Sequence, residues 1–161
     1  HHLDLVISDR PLPATIGVKG YSHLLGRSPL IWVGTPELAR RSRADYPHAL
    51  GELPLLLPGA NAAQSAPLAR WLQEKKLGAH VVGEFDDTAL MKSFGEAGAG
   101  LFPVPEVILD EVCRHYAVEQ AGRLDDIQVS YYAISLERKL THPAVLAVSQ
   151  MANQLLSGKP G

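Results

Sequence analysis

Three carboxylates fall within four positions at Glu84, Asp86 and Asp87, and Thr88 adds a hydroxyl directly after them. Hard cations need several oxygen ligands, so Glu84, Asp86 and Asp87 are candidate metal ligands. The same residues can instead cap a helix, because a short carboxylate accepts from the unpaired N–H groups of a first helical turn. Residue types alone favour the cap. A second polar group, Ser8-Asp9-Arg10, follows the apolar run Leu3–Ile7 and precedes Pro11. Ligands of open parallel sheets bind outside the carboxyl ends of strands, which makes Ser8, Asp9 and Arg10 candidate ligand contacts. A plain turn ahead of Pro11 is the alternative.

Enzymatic signatures are missing from the sequence. It contains no G-x-S-x-G elbow, Walker loop, H-E-x-x-H or C-x-x-C. The glycines of Gly95-Glu96-Ala97-Gly98-Ala99-Gly100 end a helical pattern, whereas a dinucleotide fingerprint opens one. The seven histidines have no zinc-ligand spacing between the internal ones. His115, beside Arg114 near a helix end, suits the negative end of the dipole. Cys113, the single cysteine, shares an apolar helical face with Val112 and Tyr116 and reads as a core thiol. No cofactor is implied, and a non-enzymatic chain is expected.

Composition narrows the class further. The chain has 161 residues, 46% hydrophobic and 20% charged, as expected of one folded domain with a sizeable core. A net charge of -2 gives no electrostatic footprint for nucleic acid over the chain as a whole. The basic cluster Arg40, Arg41 and Arg43 reads as a solvated helix end in preference to a phosphate site. No apolar run approaches the ~20 residues of a membrane span.

The elements that must position these groups alternate between strand and helix. Leu3–Ile7 and Pro29–Val33 read as strands, and Thr35-Pro36-Glu37 opens a helix with an N-cap, a proline at its first position and an acidic first turn. Pro54–Leu57 is a third strand. The helix after it carries Leu68, Trp71 and Leu72 on one face, with Ser65 or Asn61 as N-cap and Gly78 beyond its end. Val81, Val82 and Phe85 form a strand. Asp86 and Asp87 then cap a helix with Leu90, Met91, Phe94 and Ala97 inward, and Leu101–Val104 is a buried strand. Ile108, Leu109, Val112, Cys113 and Tyr116 line another helix. Two short strands are expected at Ala117–Ala121 and Val129–Ser135, then a last helix with Val145, Val148, Ala152 and Leu155 as its stripe. The expected class is α/β with mostly parallel sheets and helices on both faces. Because the chain opens inside a strand, it reads as a piece of a longer protein.

The order of these pieces resembles the effector-binding domain of the LysR-type transcriptional regulators. The segments that carry the likeness are LDLVISDRP, SPLIWVGTPELA, GEFDDTALMKSFGEAGAGLFPVP and YYAISLERKLTHPAVLAVSQMANQLL. Each is loose alone, but their order and spacing are fairly specific over nearly the whole chain. Within the family the wording is closest to the NhaR branch, whose activators respond to sodium or lithium.

The resemblance implies a type-2 periplasmic-binding-protein-like fold of two lobes, with the first lobe incomplete. Residues 3–31 would belong to lobe I and 32–103 to lobe II, while 104–156 would return to lobe I and end in the last helix. The amino-terminal helix-turn-helix domain would be absent, and DNA would be reached only through it. An effector cleft would be faced by Ser8, Asp9 and Arg10 on one side and by Gly59, Asn61, Glu84, Asp86, Thr88 and Phe102 on the other. The implied ligand is a small effector or a monovalent cation, Na+ or Li+, at Glu84, Asp86 and Asp87. A cytoplasmic protein, homo-oligomeric at full length and with no membrane partner, is expected. A transporter's solute-binding protein is the alternative on the same fold, and an enzyme built on it is the third reading.

Overall fold

The structure, a computed structural model, describes residues 6–12, 20–135 and 143–156. The expected start of the first strand at Leu3–Leu5, the connector 13–19, the Thr141-His142 lead into the last helix and the Val145 side chain lie outside the described residues. The chain divides into a central unit, Pro29–Ile127, and a flanking unit formed by residues 1–28 with 128–161. It passes between them inside two long strands, β2 (Tyr21–Gly34) and β6 (Glu119–Ser135).

In the central unit, Leu30, Ile31, Trp32 and Val33 of β2 are all fully buried, as in a strand covered on both faces. They pair antiparallel with β5 (Phe102–Pro105) in the register Leu30↔Pro105 to Val33↔Phe102. Thr35 caps α1 (Pro36–Ala44), accepting at Oγ1 from the Leu38 N–H at 3.5 Å, with Pro36 in the first turn. This cap and its proline follow the sequence pattern.

The next strand, β3 (Pro54–Pro58), pairs parallel with β4 (His80–Phe85) and is almost wholly buried. Between them, α2 (Ser65–Glu74) buries Leu68, Trp71 and Leu72 as expected. Ser65 is its first helical residue, however, and Gln64 precedes it without a side-chain cap. The Gly59–Gln64 turns account for this: Ala62 N–H reaches Gly59 O at 2.9 Å and Ser65 N–H reaches Ala62 O at 3.1 Å. Backbone acceptors there do the work of a cap.

After β4, α3 (Thr88–Glu96) leads to Leu101, which forms a parallel bridge to Leu55 on the opposite side of β3 from β4. The crossover therefore steps over β3, and the chain then turns into its antiparallel pairing with β2. Ile31, Val33, Leu56, Met91, Phe102, Val104, Val112 and Val118 make one core cluster, with α4 (Leu109–Tyr116) packed on it. β5 and α4 share this core, and both lie within the central unit.

The flanking unit pairs β1 (Val6–Ser8) antiparallel with the end of β6, in the register Val6↔Ile134 to Ser8↔Tyr132. Leu25, Val129 and Ala133 are buried there. Its helix α5 (Pro143–Leu156) packs Leu156 against Gly26, where an added Cβ would come within 2.8 Å of Leu156 Cβ. Val148 and Leu155 of the expected apolar stripe are exposed instead. Ala152 of that stripe is partly buried, as is Leu156, one position beyond its end.

Candidate functional site

Parallel pairing brings the loops after β3 and β4 side by side, since Pro58 and Phe85 are register partners. The ladder continues one residue further, with the Gly59 N–H donating to Phe85 O at 2.7 Å. The Asp86 carboxylate lies directly over buried Gly59: a Cβ there would be 2.3 Å from Asp86 Oδ1. Glycine is what allows this approach. Asn61 is exposed on the adjoining turn.

Asp87 is the N-cap of α3. Its Oδ1 accepts from Ala89 N–H at 2.8 Å and from Leu90 N–H at 3.3 Å. The cap reading of the acidic turn thus holds for Asp87, which satisfies two donors of the first turn. Thr88, the first residue of α3, is exposed beside it. Asp86, Asn61 and Thr88 therefore stand at the carboxyl ends of two adjacent parallel strands and next to a helix N-terminus. The arrangement offers one carboxylate, one amide and one hydroxyl to a small polar ligand.

Two expected contributors are placed differently. Phe102 is fully buried in the core, its ring packed against Gly95, and offers a ligand no surface. Glu84 is an exposed residue of β4, opposite Leu57. Among the described residues no group of three or more His, Cys, Asp or Glu side chains is arranged to hold a metal ion. Glu84, Asp86 and Asp87 are accordingly not assembled as a ligand set. The physical reason is that one of the three is turned to the helix backbone as its cap.

In the flanking unit, Ser8 ends β1 and its Oγ accepts from the Arg10 N–H at 3.2 Å. The turn before Pro11 is thus closed by the serine hydroxyl. Extending the β1–β6 register by one residue puts Asp9 opposite Tyr131. Burial, and then the Asp9 charge, push the Tyr131 hydroxyl up to about 12. Sequence reasoning missed Tyr131 because only strand register makes the two neighbours.

Comparison with known proteins agrees with this architecture. Residues 1–157 match the family model of the LysR substrate binding domain. The transcriptional activator protein NhaR of Escherichia coli K12 is 32% identical over 146 residues, covering 90% of this chain and 47% of that protein. NhaR of Shigella flexneri matches to the same extent. The chain thus spans about half the length of the curated relatives it matches.

Among solved structures, the effector domain of AmpR of Pseudomonas aeruginosa superposes with a TM-score of 0.65 at 21% identity, covering 98% of this chain and 74% of that one. The effector binding domain of QuiR, in complex with shikimate, gives 0.62 at 14% identity, covering 97% and 73%. These likenesses establish the fold, a type-2 periplasmic-binding-protein-like one. The family match decides against the solute-binding-protein and enzyme alternatives. By this match, and by its identity to NhaR, the chain belongs to the LysR substrate-binding-domain family of transcriptional regulators.

Proposed function

We propose that the chain senses a small effector for a cytoplasmic, homo-oligomeric transcriptional activator that contacts DNA through another domain. The effector is held by Asn61, Asp86 and Thr88 in the loops after β3 and β4, and Na+ or Li+ is the first candidate. The observation that carries this reading is the Asp86 carboxylate seated on Gly59 at paired strand ends, in a chain related to NhaR. A ligand regulates only through its differential affinity for two states of the protein, so the same contacts must differ between them.

The test compares thermal midpoints in NaCl, LiCl and KCl at matched ionic strength. Binding at a hundred times the dissociation constant adds about 2.7 kcal/mol, an easily measured rise. Asp86→Asn is expected to abolish the Na+ or Li+ increment while leaving the midpoint in KCl nearly unchanged. Asp87→Ala is expected to cost about 1 kcal/mol equally in all three salts, because it removes a cap. Indistinguishable curves in the three salts would exclude a cation at this turn.

A further inference from the structure

The end of α1 and the start of β6 line an open pocket in the central unit, of about 590 Å3, that shares no lining residue with the loops after β3 and β4. Its size is that of a small-molecule site. Tyr46 forms the apolar wall. The ring lies on Gly122, where a Cβ would be 2.0 Å from Tyr46 Cε1, and its hydroxyl donates to Arg123 O. Ser42 Oγ, buried, donates to Ala121 O at 2.8 Å and holds the strand against the helix.

The charges at the mouth are specific. Arg123 is committed elsewhere, bidentate to Glu106 at 3.3 and 3.0 Å and bonded through Nε to Asp125 at 2.9 Å. Arg43 is less committed. Its Nη1 donates to Gln120 O at 2.6 Å and its Nη2 to Glu119 Oε1 at 3.3 Å, two engagements for a group with five donors. Arg43 and Glu119 are each about half exposed (48%), so their ion pair is a surface pair that opens at little cost. The basic cluster therefore divides: Arg40 pairs with Glu37 in solvent, while Arg43 faces the pocket.

We propose that this pocket binds a zwitterionic α-amino acid with an apolar or aromatic side chain. The ligand carboxylate takes the Arg43 donors, its ammonium takes Glu119, and its side chain packs on the Tyr46 ring. A simple anion would face Glu119 and a simple cation would face Arg43. A molecule carrying both charges one carbon apart satisfies both halves of the opened pair. This site is independent of the effector reading for Asp86.

The test is an amide-resolved NMR titration of the chain with L-phenylalanine, phenylacetate and phenethylamine as probes. Phenylalanine is expected to give saturable shifts at Ala121 and Gly122. The two single-charge probes, and the variants Arg43→Gln and Glu119→Gln, are each expected to bind about tenfold more weakly, since each loses one charge-assisted contact. Both substituted residues are exposed, and unchanged spectra elsewhere will show that the variants are folded. The proposal is overturned by an absence of saturable shifts at Gly122, or by phenylacetate binding as tightly as phenylalanine. Undiminished affinity in either variant, or shifts confined to Asn61 and Asp86, would overturn it equally.

Discussion

Asp86 and Asp87 are adjacent in the chain and opposite in use. Asp87 turns into the helix and spends one oxygen on two backbone donors, whereas Asp86 turns over Gly59. Residue type could not separate them, because both are short carboxylates at a helix start. Tyr131 shows the same limit. Its hydroxyl, ordinarily titrating at 10.0, is pushed up to about 12 by burial and then by Asp9. Between those values the unfolded chain releases a proton that the folded chain keeps, so the tyrosine's contribution is complete below pH 10 and is lost as pH rises towards 12. The expected loss is about 2 kcal/mol across that window, and Tyr131→Phe should remove it from urea-unfolding curves taken at several alkaline pH values. Tyr46, also pushed up by burial, contributes with the same sign and remains in that variant.

At the scale of elements, helices with polar punctuation were the most legible. Thr35-Pro36-Glu37 starts α1 where residue chemistry says it should. The inward face of α3 was harder: Met91 and Gly95 are buried, while Leu90 and Phe94 are half-exposed, with Phe94 edge-on to Phe85 at 5.2 Å. The second member of that buried stripe is a glycine, which hydrophobic periodicity cannot register. Its role is contact. An added Cβ would lie 2.1 Å from Phe102 Cε1, in a ring with no exposed surface. Gly95→Ala, although favoured by helix propensity, is therefore expected to destabilise the chain by about 1–3 kcal/mol in urea unfolding. The two strands expected at Ala117–Ala121 and Val129–Ser135 are one, β6, with Ala117 left-handed at the end of α4. Arg123 and Asp125, which fall between the two expected strands, pair with each other on an exposed side of the continuous strand.

For the molecule as a whole, charge sets a clear expectation. At net -2, the chain is expected not to retain duplex DNA at physiological salt. Fluorescence anisotropy of a labelled duplex will check this, and submicromolar binding would contradict it. The sequence by itself determined the α/β class, the caps of α1 and α3 and, through the order of its segments, the family. Those properties depend on residue type and short spacing, and both can be read along a chain. Only the tertiary structure decided that β5 runs antiparallel to β2, that Phe102 is core, and that Asp86 meets Gly59 while Asp87 does not. It also placed Arg43 at a pocket mouth with Glu119, 76 positions later. Strand register and long-range packing create these neighbours, and local residue type carries no record of them.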